Sequence, residues 1–253
     1  MPADAIAYLR RFPLFASLDE KDLQRIAPLA SERHYRGDMF VLVEGEPVDG
    51  VFFLRNGTVK ATRSSADGRE QIISVLGSGD FFPHVGLLDG GPAPATVRTL
   101  SEADISVIRR PDFVELLRQN SDITQRVLIA LEQRIRMLQN QVLDLGLKTV
   151  PARLAGALLE LAAKSTAARA ADMTPIASGE KQGRKPSEQA DERITLDVHL
   201  SQQELANMVG ATRETVSRVF ADFRRSGVIT LEKDGCIVIH NAAQLRRWAH
   251  GLA

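Results

Sequence analysis

Between about residues 35 and 110, short apolar runs alternate with polar turns that contain glycine. Two of these turns, Asn56-Gly57 and Asp67-Gly68, favour hairpins because both of their residues tolerate a positive φ. The apolar runs are Met39–Val43, Val51–Leu54, Val59–Ala61, Ile72–Leu76 and Ile105–Ile108. Many short strands at close, even spacing predict a small β-roll, barrel or sandwich.

Helices are predicted on both sides of this β-rich region. Residues 6–30 have the pattern of short helices, and Ser17 is placed to cap one over residues 18–29. After the strands, a helix begins at Pro111 and ends near residue 118, and Ser121 caps the next one. The pattern therefore predicts an α+β fold.

The helix that follows Ser121 carries a narrow apolar seam. Its members alternate at spacings of three and four, and they are Leu128, Leu131, Ile135, Leu138, Val142 and Leu145. Such alternation over more than two heptads is the a/d pattern of a coiled coil. The alternative is an amphipathic helix packed on its own domain, but the regular seam and the polar residues beside it, such as Arg136 and Gln139, favour a homodimer.

A polar, alanine-rich stretch interrupts the second half of the chain. Gly146 is predicted to end the seam helix, and Pro151 fits the first turn of another helix over residues 152–163. The following residues are rich in Ala, Ser, Gly, Lys, Glu and Gln and lack sustained apolar periodicity. We expect a flexible insertion at about residues 165–193, whose basic residues belong to a solvated loop rather than to a binding patch.

Two short helices joined by a tight turn are predicted between residues 200 and 225. Ser201 and Glu204 form a capping box, in which each side chain satisfies a free N–H at the start of the first helix. Gly210 lies where a left-handed turn residue is needed, and Thr212 caps the second helix. The residues predicted to face inward are Leu205, Ala206, Val209, Val216, Val219, Phe220 and Phe223. This is the pattern of a helix-turn-helix.

The start of the second helix carries side chains that can read bases. The predicted DNA-binding residues are Arg213, Glu214, Ser217 and Arg218 on this helix, with the capping residues Thr212 and Ser201. A recognition helix presents its N-terminal end to base edges. Arginine can bond O6 and N7 of guanine, and glutamate can accept a hydrogen bond from N4 of cytosine. The structural alternative is an ordinary i,i+4 ion pair between Glu214 and Arg218.

Cys236, the single cysteine of the chain, lies in a predicted two-stranded wing. The wing comprises Val228–Leu231, a turn at Asp234-Gly235, and Cys236–Ile239. One cysteine excludes an intrachain disulfide and a four-thiolate iron–sulfur cluster. We interpret Cys236 as a packed small residue rather than a redox sensor, and a reducing, cytoplasmic setting fits this cysteine usage.

Composition and charge change this picture little. The 253 residues, 44% of them apolar, are enough for one large or two small domains. No stretch reaches the ~18–20 apolar residues of a membrane span, and the start of the sequence lacks a signal-peptide pattern, so no membrane partner is expected. Basic and acidic residues number 32 each, so the case for DNA depends on the motif and not on bulk charge.

Over both of its halves, the chain resembles the Crp/Fnr family of bacterial transcription regulators. In the C-terminal half, the matching residues are Leu205-Ala206, Gly210 and Thr212–Arg218. In the N-terminal half, they are Leu14–Leu18, Arg36-Gly37-Asp38, Glu44-Gly45-Glu46, Phe53–Gly57 and Gly79-Asp80-Phe81. The match in the recognition helix is highly specific, whereas the β-roll glycines carry weight only as a group.

The resemblance implies a domain order and a function. Residues 1–120 are expected to form a cyclic-nucleotide-binding-like β-roll sensor domain, of the double-stranded β-helix or jelly-roll-like type. Residues 121–147 are expected to form a dimerisation helix, and residues 148–253 a winged helix-turn-helix domain. The implied function is that of a dimeric regulator, not an enzyme, that binds palindromic double-stranded DNA and works with RNA polymerase. By resemblance, its half-sites should be similar to TGTGA or TTGA.

The expected effector pocket departs from the family pattern. Its residues are His84, Val85, Gly86, Leu87, Ala93, Pro94, Ala95 and Thr96. In members that bind cyclic nucleotides, a glutamate contacts the ribose hydroxyl and an arginine contacts the cyclic phosphate. Here His84 stands at the glutamate position, and Ala93-Pro94 stands at the phosphate position. Because neither Ala93 nor Pro94 supplies a charge-assisted phosphate contact, binding of cyclic AMP in the usual mode is not expected, although Arg98 offers a substitute.

Other functions stay open at this point, and no cofactor or metal is assigned. A haem-based sensor would use His84 as an axial ligand, but a lone histidine is more often structural. A cupin-like metalloenzyme with an appended DNA-binding domain is the alternative from another class. The β-rich region contains only His34 and His84, and it lacks the His-x-His cluster that this fold generally uses. A third alternative is an architectural DNA binder that needs no ligand.

Overall fold

The computed structural model describes residues 2–172, 193–196, 198–232 and 235–251, and the chain divides into two units, Met1–Gly146 and Leu147–Ala253. The helices of the first unit are α1 (Pro2–Leu9), α2 (Glu20–Ile26), α3 (Arg110–Gln119) and α4 (Ser121–Leu147), with a 3-10 turn at Ala27–Leu29. Its strands are β1 (Ala30–Tyr35), β2 (Phe40–Leu42), β3 (Gly50–Asn56), β4 (Val59–Ser64), β5 (Glu70–Leu76), β6 (Phe81–Phe82), β7 (Thr96–Thr99) and β8 (Ala103–Arg109). The predicted α+β fold is confirmed, while the domain limits drawn from the sequence stay predictions.

The strands form two four-stranded antiparallel sheets, in the orders β1-β8-β3-β6 and β2-β7-β4-β5. Asp67-Gly68 turns the hairpin between β4 and β5, as predicted. The hairpin predicted at Asn56-Gly57 is wrong, because β3 and β4 belong to different sheets. Gly57 is nevertheless required there: it has φ +87°, and a Cβ atom would lie 2.1 Å from the carbonyl oxygen of Glu102.

Apolar side chains fill the space between the sheets and cover one outer face. The interior includes Leu42, Val59 and Val97 from one sheet and Phe52, Leu54 and Ile105 from the other. Phe53 points away from this interior because side chains alternate along a strand, and its ring contacts those of Phe12, Phe15 and Phe113. Burial of each such side chain contributes roughly 1.5–3 kcal/mol. The helices of the unit therefore pack against the outer face of β3.

Two helix starts differ from the prediction by one or two residues. α2 is capped by Asp19, whose carboxylate accepts a backbone hydrogen bond from the first turn at 2.8 Å. The predicted cap, Ser17, instead accepts a hydrogen bond from Nε of Arg126 at 2.9 Å. α4 is capped by the side chain of Asn120, so Ser121 is its first helical residue. Asp and Asn are N-caps at least as favourable as Ser, which explains both shifts.

The apolar seam of α4 is largely open in the single chain. Its most exposed members are Leu128 at 60%, Ile135 at 55%, Val142 at 70% and Leu145 at 54%, with Leu138 at 40%. Leu131 alone is packed, since it lies partly buried against the helical core of the first unit. Exposed apolar surface of this length on a helix marks an interaction site.

The second unit contains four helices and three strands among the residues that the structure describes. They are α5 (Val150–Asp172), β9 (Ile194–Thr195), α6 (Gln202–Val209), α7 (Arg213–Arg225), β10 (Ile229–Leu231), β11 (Ile237–Ile239) and α8 (Ala242–Ala249). The strands form one antiparallel sheet in the order β10-β11-β9. The predicted two-stranded wing thus has a third strand, which the sequence pattern did not indicate.

α5 is longer than the apolar periodicity predicted. The expected end was residue 163, but the helix continues to Asp172, so the flexible insertion predicted at about residues 165–193 is wrong over its first part. This segment is rich in alanine, the best helix former, and Glu160 pairs with Lys164 at 3.7 Å. The rest of the predicted insertion, residues 173–192, lies outside the described residues.

Candidate nucleic-acid interface and effector site

α6 begins with the predicted capping box. The N–H of Glu204 donates to Oγ of Ser201 at 3.2 Å, and the N–H of Ser201 donates to the Glu204 carboxylate at 2.9 Å. Leu205, Ala206 and Val209 are buried, as expected. The methyl group of Ala206 is small enough to let α6 and α7 approach closely.

The turn between α6 and α7 has the backbone that a helix-turn-helix requires. Gly210 adopts the left-handed conformation, with φ 63° and ψ 49°, and its N–H donates to the carbonyl oxygen of Ala206. Thr212 is extended, and its hydroxyl accepts a hydrogen bond from the N–H of Thr215 at 3.3 Å. Two residues with backbones outside the helical region therefore set the direction in which α7 starts.

α7 has one buried and one exposed face, divided as the sequence predicted. Val216, Val219, Phe220 and Phe223 are buried. On the other side, Arg213, Glu214 and Arg218 are exposed and Ser217 is half-buried. Among the residues that the structure describes, Glu214 and Arg218 form no ion pair with each other. The alternative interpretation, an ordinary i,i+4 ion pair, is therefore wrong. Neither Arg213 nor Arg218 has an ion-pair partner within those residues.

The carboxylate of Glu214 turns back to the start of its own helix. Hydrogen bonds from its own N–H and from the hydroxyl of Thr212, together with the charge of Arg213, lower the pKa of Glu214 below its usual value. A carboxylate is favourable there because the first N–H groups of a helix are free. Glu214 is therefore an ionised acceptor at the exposed end of α7, beside two arginines.

The wing places Cys236 beside a histidine. Its Sγ atom lies 3.7 Å from Nε2 of His199, and the residue is half-buried. Gly235, in the adjacent turn, has φ +89°, whereas Asp234 lies outside the described residues. The chain after the wing ends in α8, whose Trp248 stacks on Phe223 of α7 at 4.6 Å between ring centroids. The sequence analysis missed α8, although Asn241, a favourable N-cap residue just before Ala242, was a local signal for it.

The predicted effector residues lie in the loop between β6 and β7, together with the first residue of β7. Gly86, Leu87, Ala93 and Ala95 are buried, His84, Pro94 and Thr96 are half-buried, and Val85 is exposed. Backbone hydrogen bonds hold Ala93 against the turn after β2: its N–H donates to Glu46 at 2.7 Å, and its carbonyl accepts from Gly45 at 2.9 Å. The structure thus brings the segment 93–96 against the Glu44-Gly45-Glu46 turn.

Polar groups near this segment are committed within the chain. The hydroxyl of Thr96 accepts a hydrogen bond from the N–H of Glu44 at 3.1 Å. The guanidinium of Arg98 pairs with Asp38 at 2.7 Å and lies over the ring of Phe40, 4.9 Å from its centroid. Arg98 is thus already paired, and Ala93 and Pro94 bring no side-chain donor. The residues present at the phosphate position do not fit the familiar cyclic-nucleotide contact.

His84 is neutral at physiological pH. Burial, with a smaller contribution from the charge of Arg134 on α4, lowers its pKa to about 4, against the opposing charge of Asp80. Its ring lies 4.7 Å from that of Phe81, centroid to centroid. In the sequence, Arg134 is one of the polar residues beside the apolar seam of α4. Its place near His84 depends on tertiary packing that the sequence does not reveal.

In the described part of the chain, no three His, Cys, Asp or Glu side chains come together as potential metal ligands. None of the helices in that part is both long and apolar enough to cross a membrane.

Two known domain families match the chain. A cyclic nucleotide-binding domain matches residues 32–120, and a Crp-like helix-turn-helix domain matches residues 152–248. The first match contains the loop with His84 and both sheets of the β-roll except the first two residues of β1. The second contains α6, α7, the strands beside them and almost all of α8.

Similar proteins are transcription regulators. Over 207 residues, the chain is 31% identical to the CRP-like cAMP-activated global transcriptional regulator of Mycobacterium tuberculosis, covering 82% of this chain and 83% of that protein. It is 25% identical to the transcriptional activator protein FnrL of Cereibacter sphaeroides, covering 94% and 88%. The solved structure of FixK2 from Bradyrhizobium japonicum has the same fold, with a TM-score of 0.69, 22% identity, and coverage of 88% of this chain and 96% of that one.

Proposed function

The chain belongs to the Crp/Fnr family of transcription regulators, and from this premise we propose which of its residues read DNA. The observation that carries the proposal is the exposed N-terminal end of α7, with two arginines and one ionised glutamate above a fully buried apolar face. A recognition helix uses this end in the major groove.

Each side chain at this end has a proposed role. Arg218 donates two hydrogen bonds to a guanine, and Glu214 accepts one from the N4 amino group of a cytosine nearby. Arg213 contacts a second guanine or a phosphate, and Ser217 is small enough to let the helix lie deep in the groove. The free N–H groups at the starts of α6 and α7, beside Ser201 and Thr212, face backbone phosphates.

The protein acts as a homodimer, and we assign its interface to the seam of α4. Leu128, Leu131, Ile135, Leu138, Val142 and Leu145 are the proposed contacts, because most of them are exposed in the single chain. A parallel dimer presents two copies of α7, so its operator is two-fold symmetric. By similarity, its half-sites have the form TGTGA or TTGA.

Selection of binding sites from random double-stranded DNA tests this proposal. The wild-type dimer should enrich a palindrome with a guanine in each half-site. Enrichment of a site without two-fold symmetry would contradict the dimeric reading mode. Equal retention of all sequences would instead favour an architectural DNA binder.

The effector of the β-roll is proposed to bind differently from cyclic AMP in its usual mode. The regulator from Mycobacterium tuberculosis is named as cAMP-activated, but here Ala93 and Pro94 stand at the phosphate position and Arg98 is paired with Asp38. We therefore place the effector against His84–Leu87 and Ala93–Thr96. The full proposal includes domain limits at 120 and 147, RNA polymerase as a partner, a cytoplasmic setting and no enzymatic activity.

Mass spectrometry of the native dimer identifies the effector most directly, since a bound small molecule adds its mass to that of the protein. We expect a molecule that is not cyclic AMP. A haem group would show by its mass and by a strong absorption band near the visible region, and it would revive His84 as an axial ligand. A stoichiometric transition metal together with catalytic turnover would favour the metalloenzyme instead.

A further inference from the structure

Arg153, near the start of α5, connects two segments of the second unit through its guanidinium group. Its Nε atom donates to the carbonyl oxygen of Val209 at 2.8 Å, and Nη2 lies 3.5 Å from the carbonyl oxygen of Gly210. On the other side, Nη1 donates to the carbonyl oxygen of Lys148 at 2.7 Å. One side chain thus contacts both the helix-turn-helix turn and the segment that leads into α5.

We propose that Arg153 is a positioning residue that fixes the turn between α6 and α7 and thereby sets how α7 meets DNA. The inference rests on the proposed function of α7. The last carbonyl groups of a helix have no partner within it, and a cation near them is favourable. The planar guanidinium donates from three nitrogens in a rigid arrangement, whereas an ammonium group donates from a single nitrogen and cannot span the same carbonyl groups. The end of α6 is therefore held by a charged, directional contact.

The location of Arg153 on its own helix supports this role. A cation in the first turn of a helix is at the unfavourable end of the helix dipole. α5 therefore gains nothing from the charge at this position, whereas α6 gains a cation at its C-terminal end. The contacts with Val209 and Gly210 give a physical reason for the arginine that α5 alone does not give.

The turn is close enough to the base-reading residues for a small shift to matter. Only Ala211 and Thr212 separate Gly210 from the first residue of α7. A shift of the turn therefore moves the start of α7 relative to the groove. A bidentate contact of Arg218 with guanine depends on angle and distance, so it is lost before the phosphate contacts are.

Three variants distinguish a positioning role of Arg153 from an effect of its charge alone and from an effect on the stability of the protein. Arg153→Met keeps much of the aliphatic stem but removes every donor. Arg153→Lys keeps the charge near the end of α6, but its single nitrogen cannot reproduce the contacts in both directions. Arg246→Met is the matched control, because it removes the same charge from an exposed position in the last turn of α8.

The experiment measures affinity for the selected operator and for unrelated DNA over a series of salt concentrations, together with thermal unfolding. For Arg153→Met, we expect operator affinity to fall about tenfold or more, while affinity for unrelated DNA and the salt dependence are kept. Arg153→Lys should recover thermal stability more fully than operator affinity. Arg246→Met should keep the ratio of the two affinities at its wild-type value.

Three results would overturn the inference. If the slope of log affinity against log salt concentration falls by about one in Arg153→Met, Arg153 contacts a phosphate. If Arg153→Met binds the operator as tightly as the wild type when affinity is measured well below the unfolding temperature of the variant, Arg153 has a role in stability only. An unchanged affinity ratio in Arg153→Met would remove the role altogether. A wild-type protein without operator preference would be recognised separately, since it overturns the proposed function itself.

Discussion

Charged side chains are exposed at the start of α7, whereas polar side chains are bonded or buried within the chain at the loop between β6 and β7. At the start of α7, Arg213 and Arg218 are exposed, and neither has an ion-pair partner among the described residues. In the loop, Thr96 is bonded to the backbone of Glu44, and His84 is held neutral by burial. The first region leaves its two arginines exposed, whereas the second uses its polar groups within the chain.

This difference separates the region proposed to bind DNA from the region proposed to bind the effector. The start of α7, which is proposed to read DNA, carries the charged residues that match the Crp/Fnr family. At the loop position that the resemblance aligns with the cyclic phosphate, Ala93 and Pro94 stand instead of charged residues. A protein can keep one function of a fold and change the other, because each depends on a few side chains rather than on the fold.

The largest expected effect comes from the seam of α4, on which the symmetric use of α7 depends. Changing Ile135 and Val142 together to Glu places like charges face to face in the dimer, yet both positions are exposed in the single chain. We expect monomers and a loss of operator affinity of roughly 100- to 10,000-fold, because the second half-site contact is no longer intramolecular. Sedimentation measures the first effect and titration of labelled operator the second.

Gln133→Glu together with Asn140→Glu is the matched control for the seam. These positions are exposed and lie at the heptad positions opposite to Ile135 and Val142. The control should remain a dimer and bind its operator normally. An intact dimer in the Ile135→Glu, Val142→Glu variant would show that another surface holds the two chains together.

A smaller effect tests whether His84 is buried in the loop between β6 and β7. The pKa of His84 is lowered to about 4 from 6.5, so protonation favours the unfolded chain. This contribution to the free energy of unfolding is present above pH 6.5 and is lost as the pH falls to about 4. Its size is up to about 3 kcal/mol. Urea unfolding between pH 4 and pH 7 measures it.

His84→Gln should remove this pH-dependent contribution, while carboxylates elsewhere affect both proteins alike. His250→Gln is the control, since His250 is exposed after α8 and its side chain has no ion-pair partner among the described residues. It should keep the wild-type pH dependence. The same pH dependence in His84→Gln as in the wild type would mean that the histidine is not buried as described.

The smallest expected effect is that cyclic nucleotides do not bind measurably. Titration calorimetry with cyclic AMP or cyclic GMP should give no binding at micromolar concentrations, because no free arginine stands at the phosphate position. Binding at micromolar levels or tighter would show that another residue has taken over this role. A double change, Ala93→Arg with Pro94→Ser, places an arginine and a hydroxyl group at the phosphate position and sharpens the test, since the variant should gain affinity if the pocket is otherwise intact.

The helix-turn-helix was predictable because its signals are local. Ser201 and Glu204 are three residues apart, and Gly210 and Thr212 set a turn whose backbone depends on those residue types. The exposed face of α7 followed from helical spacing alone. Arg153 was not predictable in this way, because its contacts lie 56 and 57 residues away in the chain.

The β-roll was predictable in class but not in detail. β1 is polar along most of its length and pairs with β8, so nothing in residues 30–35 themselves indicates a strand. β7 pairs with β2 and β4, which are also distant in the sequence. Strands of this kind are fixed by tertiary pairing, which a local pattern does not contain. The extension of α5 was missed for the opposite reason, since alanine propensity favoured a helix where no apolar face was visible.

Binding-site selection on the wild type and on Arg218→Ala at one fixed salt concentration tests the central claim most directly. The claim is that α7 reads DNA through its exposed start. The variant should lose its preference at one symmetric pair of positions, with a discrimination of about 1–3 kcal/mol removed from each half-site. Arg225→Ala, on the last turn of the same helix, should keep the wild-type preferences. If wild type and Arg218→Ala select the same palindrome with the same base preferences, Arg218 is not a base reader and the recognition face of α7 is wrongly placed.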